Sequence, residues 1–298
     1  MADIFYQILR INNLRVASIG TLGIKYNDKI IKTNLTSPNT ITLHKNLNYL
    51  KNKKINNVII EASSHGLDQK RLHHIKFKGA IFTNFSQDHL DYHKTMKSYL
   101  NAKLILFRKI LNKKSTIISN KEIPTFKILN QIAKKKNLRI SNINKTIKKI
   151  KNIDLKSNED FKIRNLAMAI EAAKLCGLKE HFIFKKLNKL KDVDGRLELV
   201  RKYSNGVKVF VDFAHTPDAL EKTLKSLRDL YGNNISLVFG CGGDRDKKKR
   251  SLMGKIANKI CKKVYITDDN PRKEDPRKIR IAISKNISKN KLFNIGNR

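Results

Sequence analysis

Acidic residues, cysteines and long apolar runs are all scarce in this sequence, and each shortage narrows what the chain can be. Its 298 residues include 25 Asp and Glu against 64 Lys and Arg, a formal net charge of +39. A positive potential therefore surrounds any fold it adopts, and anionic partners are favoured. The three cysteines, Cys176, Cys241 and Cys261, lie far apart and form no C-x-x-C pair. That speaks against a disulfide framework or a zinc knuckle and fits a reducing compartment. No stretch approaches the roughly 20 apolar residues of a membrane span. The opening MADIFYQILRINN also lacks the basic segment followed by an apolar one that marks a secretory signal. The expectation is a cytoplasmic protein with no membrane partner. A dinucleotide fingerprint is missing as well, because after Gly240 and Gly242 the third glycine position is Arg245. No repeat of solenoid period is visible.

What is present is a globular pattern. The hydrophobic fraction is 40%, too apolar for a disordered basic tail. Lys and Arg are spread through segments such as FRKILNKKS and IAKKKNLRI rather than gathered on one face with aromatics. This favours a compositional bias at tolerant surface positions over a dedicated RNA surface. Short runs rich in β-branched residues predict strands at 15–19, 57–62, 79–84, 115–119, 207–212, 235–240 and 263–267. Longer amphipathic runs predict helices at 2–12, 40–52, 94–111, 125–136, 161–176, 180–190, 216–231, 248–261 and 276–286. The alternation implies an α/β fold with mostly parallel sheets. The Lys/Asn-rich stretch 141–160 is expected to be the least regular. A polar turn, Lys191 to Gly195, precedes a new strand series, which places a domain boundary near residue 192, with domains at 1–191 and 192–298.

In open α/β sheets reactive groups gather at the carboxyl ends of strands. Three ends are rich in chemistry. The first runs Glu61-Ala62-Ser63-Ser64-His65-Gly66, followed by Gln69 and Arg71. The second passes through Thr83 and Asn84 to Asp88-His89-Leu90-Asp91-Tyr92-His93, and the third runs from Asp212 to His215 and Asp218. Glu61 follows Val58, Ile59 and Ile60, so in ionised form it must meet a cation or a strong donor. A structural pairing with Arg71 or a lysine is one reading. The other joins Glu61 and His89 as an incomplete ligand set for a hard divalent cation. The five histidines at 65, 73, 74, 89 and 93 keep zinc in view, although there is no H-E-x-x-H helix and no nearby cysteine. The turn Gly240–Asp246 either cradles an anion, presents Asp244, Arg245 and Asp246 to a polar substrate, or simply connects strand to helix.

Eight segments in order carry a resemblance: SIGTLG (18–23), LTSP (35–38), EASSHGLDQKR (61–71), FTNFSQDHLDYH (82–93), DGRLE (194–198), VDFAHTPDAL (211–220), GCGGDRDKKKR (240–250) and DDNPR (268–272). Together they resemble the Mur ligase family over nearly the whole chain, and within it the branch that adds meso-diaminopimelate. The resemblance implies a truncated nucleotide-binding central domain followed by a truncated Rossmann-like domain. It also implies ATP-dependent amide formation through an acyl phosphate, in peptidoglycan precursor synthesis, with UDP-MurNAc-L-Ala-D-Glu, meso-diaminopimelate and ATP as substrates and Mg2+ as cofactor. A lysine-adding or folylpolyglutamate-like ligase is the nearest alternative, and a basic RNA-binding protein is the alternative of another class. By matching position, the resemblance makes Glu61 and His89 magnesium ligands and Lys103 a carbamylated lysine that adds an oxygen ligand. Thr36, Ser37, Ser63, Gln69 and Arg71 would hold the UDP-muramoyl-dipeptide. Asn165, Arg196, Asp212 and His215 would contact the nucleotide, with Arg196, Lys103 and His89 in catalytic roles. Arg245 with Asp269, Asn270, Pro271 and Arg272 would form the amino-acid pocket. There an Arg fork suits the distal carboxylate of meso-diaminopimelate, which lysine lacks. A monomer acting on small molecules, without nucleic acid, is expected.

Two departures qualify this. The family's G-x-x-G-K-[ST] loop belongs just before the helix starting near Ala2, and the sequence contains none. The chain also stops at Ile295-Gly296-Asn297-Arg298, short of the family's closing Gly-Lys-Gly-His-Glu segment. The expectation is therefore a piece of a ligase, inactive alone.

Overall fold

The computed structural model describes residues 1–153 and 159–296. The chain opens with α1 (Ala2–Ile11), β1 (Val16–Gly20), β2 (Gly23–Tyr26), β3 (Lys29–Ile31), α2 (Thr40–Asn52), β4 (Asn57–Ile60), α3 (Ser64–Asp68) and β5 (Gly79–Phe82). It continues through α4 (Leu90–His93), α5 (Met96–Ile105), β6 (Thr116–Ser119), α6 (Phe126–Lys136), β7 (Arg139–Asn142), α7 (Asn144–Lys151), α8 (Asp160–Leu175) and α9 (Glu180–Lys185). It closes with β8 (Glu198–Lys202), β9 (Lys208–Val211), α10 (Pro217–Tyr231), β10 (Ser236–Phe239), α11 (Lys248–Ile260), β11 (Lys263–Ile266), α12 (Pro276–Ser284) and β12 (Leu292–Asn294). These elements fall into two units, residues 1–85 with 100–192, and residues 86–99 with 193–298.

In the first unit, α1 buries Phe5, Ile8 and Leu9, the i, i+3, i+4 spacing of a single helix face. It packs on α8, where Ala167, Ala169 and Ala173 are fully buried and their small side chains allow close approach. Each fully buried Ile or Leu contributes roughly 1.5–3 kcal/mol. β1 is buried along its whole length because it lies inside the sheet, with β4 parallel on one side and β2 antiparallel on the other; β3 follows β2. β5, β6 and β7 form a separate parallel sheet. The β2–β3 hairpin turns at Asn27 and Asp28, whose φ angles of 43° and 60° are those of a type I′ turn.

In the second unit, β10, β11 and β12 are parallel, while β8 and β9 make an antiparallel hairpin with an irregularity between Leu199 and Arg201. Two helices start as their sequences dictate, with Pro in the first turn after a side-chain cap. Thr216 accepts from the Ala219 N–H at 3.3 Å ahead of α10, and Asp275 accepts from the Arg277 N–H at 2.8 Å ahead of α12. Leu220, Leu224, Met253, Ala257, Val264, Ile266, Ile279 and Ile283 fill this core.

The α/β class and the mostly parallel pairing agree with the sequence reading. Local differences have physical causes. The helix expected over 94–111 starts only at Met96, Lys94 having a φ of 64°, and ends in a wider turn at Leu106–Ile110. The helix expected over 180–190 stops at Lys185 and resumes only as a short tight turn at Leu187–Lys189. The stretch 141–160, expected to be irregular, holds α7, which buries Thr146 and Ile150; residues 154–158 lie outside the described residues. Among the described residues no helix is long and apolar enough to cross a membrane.

Candidate functional site

In the first unit the pairing of β1 with β4 continues one step past the strands, with the Glu61 N–H donating to the Ile19 carbonyl at 2.8 Å. This places the Glu61 side chain beside Gly20. Its Oε2 accepts from both the Thr21 N–H and the Thr21 hydroxyl, each at 2.9 Å, and that hydroxyl lies 3.2 Å from the Thr36 hydroxyl. Arg71 does not pair with Glu61. Its Nη1 donates to the Ser37 carbonyl at 2.9 Å and its Nη2 to Gln69. Among the described residues the Arg71 pairing weighed from the sequence is not formed, because the guanidinium is committed to holding the 35–38 loop.

Ser37 is the hub of that loop and has no exposed surface. Its hydroxyl donates to the Glu61 carbonyl at 2.7 Å and accepts from the Ser63 N–H at 2.9 Å, while the Ser63 hydroxyl lies 3.0 Å away and caps α3 through the Gly66 N–H. Ser37, which the sequence reading gives to the substrate, spends its hydroxyl on bonds inside the loop. Thr36, Gln69 and Arg71 keep exposed surface. Glu61 and Lys103 line one cavity of about 710 Å³ that also borders β4 and β5. The Lys103 Nζ stands 5.9 Å from the Phe82 ring centre. Asn165 sits half-buried on α8.

The donor chemistry around Glu61 suits a hard divalent cation, with an oriented carboxylate flanked by hydroxyls and no ion pair to it among the described residues. Magnesium commonly takes one or two protein carboxylates and fills its remaining positions with water and phosphate oxygens. No group of three His, Cys, Asp or Glu is placed to hold a metal ion among the described residues, short of the four ligands of a structural zinc.

The second unit contains a cluster centred on Asp88, a residue that the sequence reading placed at a strand end without giving it a role. Asp88 Oδ2 lies 3.3 Å from His89 Nε2 and 3.2 Å from His215 Nε2, and Lys249 Nζ lies 4.0 Å from Oδ1. His215 Nδ1 faces the Phe213 carbonyl at 3.0 Å. Both ring nitrogens thus meet acceptors, which only the doubly protonated imidazolium satisfies. Accordingly the hydrogen bond to Asp88 raises the His215 pKa against the opposing effect of burial. For Asp88, burial alone would raise the carboxyl. The hydrogen bond from His215 and the charges of His89, His215 and Lys249 outweigh it and hold the group at about 2. The signal that could have found Asp88 was its position beside His89 at a strand end.

Arg196 is exposed on the turn before β8. Its guanidinium carbon stands 5.3 Å from the Phe213 ring centre, a cation–π distance. Asp212 directs one oxygen to the Leu197 N–H and the other to the Ala214 N–H, both at 2.7 Å. It therefore fixes the turn that carries Arg196.

The turns Gly240–Asp246 and Asp268–Glu274 interlock. The Gly243 N–H donates to the Asn270 carbonyl at 2.8 Å, and Arg272 Nη1 donates to the Gly243 carbonyl at 2.5 Å. Arg245 reaches Asp91, with 3.6 Å between charged atoms. Asp269, Asn270 and Arg272 are exposed and Pro271 is half-buried.

Two α/β units, one with an oriented carboxylate at its strand ends and one with paired arginine-bearing turns, define the class. Residues 1–177 match the Mur ligase middle domain and residues 195–296 the Mur ligase glutamate ligase domain. The chain belongs to the Mur ligase family. It is 39% identical to a UDP-N-acetylmuramoyl-L-alanyl-D-glutamate--2,6-diaminopimelate ligase of Rickettsia montanensis, covering 95% of this chain and 64% of that protein. It is 36% identical to the ligase of the same name from Chelativorans sp. (strain BNC1), over 93% and 62%. The chain thus spans less than two thirds of these relatives' length. A solved structure of a ligase of that name superposes with a TM-score of 0.65 at 27% identity, covering all of this chain and 65% of the other. A Mycobacterium tuberculosis folylpolyglutamate synthase superposes at 0.75 with 13% identity, over 99% and 78%, and shares the fold.

Proposed function

We propose that this chain carries the central and amino-acid-binding parts of an ATP-dependent ligase that joins meso-diaminopimelate to the terminal carboxylate of UDP-MurNAc-L-Ala-D-Glu. The observation that carries this reading is the pair of interlocked turns. They hold Arg272 at the surface on the Gly243 carbonyl, with Arg245 on the other turn, as recognition of an amino acid with a second carboxylate requires. The 39% identity to a ligase named for that amino acid supports it.

In this reading Thr36, Gln69 and Arg71 contact the UDP-muramoyl-dipeptide, and Ser37 with Ser63 fixes the loop that presents them. Asn165 and His215 contact the nucleotide. Arg196, on its aromatic support, offsets charge on the phosphoryl group as it passes to the substrate carboxylate. The amine of the incoming amino acid then attacks the acyl phosphate and phosphate leaves. Glu61, with Lys103 if carbamylated, would hold Mg2+, which when bound neutralises phosphate charge. The test joins the chain to a segment bearing the family's G-x-x-G-K-[ST] loop and follows ADP release and amide formation on adding UDP-MurNAc-dipeptide, ATP, Mg2+ and either meso-diaminopimelate or lysine. Product with meso-diaminopimelate alone supports the proposal, and equal use of lysine refutes its substrate assignment.

A further inference from the structure

The two interlocked turns are joined by an ion pair that the ligase reading does not use. Arg250, on α11, has a side chain only 4% exposed. Its Nη1 and Nη2 grip the two oxygens of Glu274 at 3.0 and 2.8 Å, and Nη2 also reaches the Gly242 carbonyl at 3.3 Å. Its Nε is buried without a hydrogen-bond partner. Glu274 Oε1 accepts from the Asp244 N–H at 2.6 Å, and Lys247 lies 3.6 Å from Oε2. The Asp244 carboxylate in turn accepts from the Lys273 N–H at 3.3 Å. Glu274 therefore ties the first turn to the second at a point next to Gly243, the residue on which Arg272 rests. The fit has no slack there, since a Cβ on Gly243 would stand 1.8 Å from the Pro271 carbonyl oxygen and one on Gly242 would stand 2.9 Å from Arg272 Nη1.

We infer that Glu274, acting through Arg250 and the Asp244 N–H, is a positioning residue that sets where the Arg272 guanidinium stands and so determines selection for an amino acid with a distal carboxylate. The inference rests on the two turns being the amino-acid pocket. A bidentate carboxylate–guanidinium pair has a fixed direction as well as strength. Neutralising Glu274 leaves the Arg250 charge buried and unmatched, and the Gly242–Asp244 turn loses the anchor that keeps its carbonyls under Arg272. A ligand without the distal carboxylate does not depend on that guanidinium, so its binding reports the fold of the pocket and not the placement of the fork.

The test is equilibrium dialysis of the purified chain against radiolabelled meso-diaminopimelate and lysine, with thermal unfolding followed in parallel. The expected result is that Glu274→Gln lowers the preference for meso-diaminopimelate over lysine tenfold or more while lysine binding stays within twofold, and that Glu274→Asp, which keeps the charge, recovers part of the preference. An unchanged preference in Glu274→Gln overturns the inference and leaves the ligase reading standing. If Glu274→Gln does not fold, Arg250→Lys replaces the fork by a point charge and is read by the same ratio, an unchanged ratio again overturning the inference. A wild-type chain that binds neither amino acid refutes the pocket itself, and with it both readings.

Discussion

Gly20 and Glu61 approach so closely that a Cβ on Gly20 would lie 2.5 Å from the Glu61 carboxyl carbon. The glycine is what lets the carboxylate turn toward Thr21. Gly20→Ala is expected to push Glu61 out, break both bonds from Thr21 and lower stability by about 1–3 kcal/mol. Gly20→Ala combined with Glu61→Ala removes the clash and should recover most of that loss. Urea denaturation of the two single variants and the double variant checks it, and simple additivity would contradict it.

Ser37→Ala strips the Ser63 N–H and the Glu61 carbonyl of a shared buried partner. The expected cost is about 2–4 kcal/mol, near the upper end for one hydroxyl because two backbone groups are orphaned together. Denaturation midpoints measure it, and a loss under 1 kcal/mol would show that water replaces the hydroxyl without penalty.

The Glu274 carboxyl is held down at about 2, first by the hydrogen bond from Arg250 and against burial, with the Asp244 N–H and the charges of Arg250 and Lys247 adding to the effect. Unfolded, it titrates at about 4.3. A folded value below the unfolded one makes the stabilisation complete above about pH 5 and removes it as pH falls toward 2. Wild type should therefore lose more stability between pH 6 and pH 3 than Glu274→Gln does. Parallel curves for the two proteins would exclude this group as a source of acid sensitivity.

Phe213→Leu removes the ring that supports Arg196. Under the proposed function, in the chain joined to a segment bearing the phosphate loop, kcat for ADP release should drop about tenfold with little change in KM for the amino acid, a loss of roughly 1.4 kcal/mol in the transition state alone. Phe213→Tyr should preserve the rate. Steady-state kinetics of the two variants decides, and a drop confined to KM would count against a role in positioning Arg196.

The strands at 57, 79, 116, 208, 236 and 263 were legible because each is a short apolar run that includes β-branched residues. β2 and β3 escaped that reading, since GIKY and KII are short and carry lysine, although the Asn27-Asp28 pair between them was a usable hairpin signal. In α7 the many lysines concealed Ile147 and Ile150, which together with Ile143 face the core. At the candidate site, Glu61 stood out by its place at a strand end, while Arg196 and Arg272 were named only through the resemblance of DGRLE and DDNPR. Which of their neighbours serve the backbone was not readable. Ser37, Asp212 and Glu274 carry ordinary polar side chains, and only the fold reveals that each is bonded to main-chain N–H groups from a second loop.

Residues 86–99 belong to the unit completed by residues 193 onward, and this has a consequence for biosynthesis. Gln87 hydrogen-bonds to Asp246, 159 positions later, at 3.0 Å. At roughly 5–20 residues per second, the segment leaves the ribosome about 8–30 seconds before that partner exists. Asp88 and His89 spend this interval as part of an unfinished loop on an already folding first unit. A nascent chain halted before Asp246 should present this loop to proteases, and the finished chain should protect it.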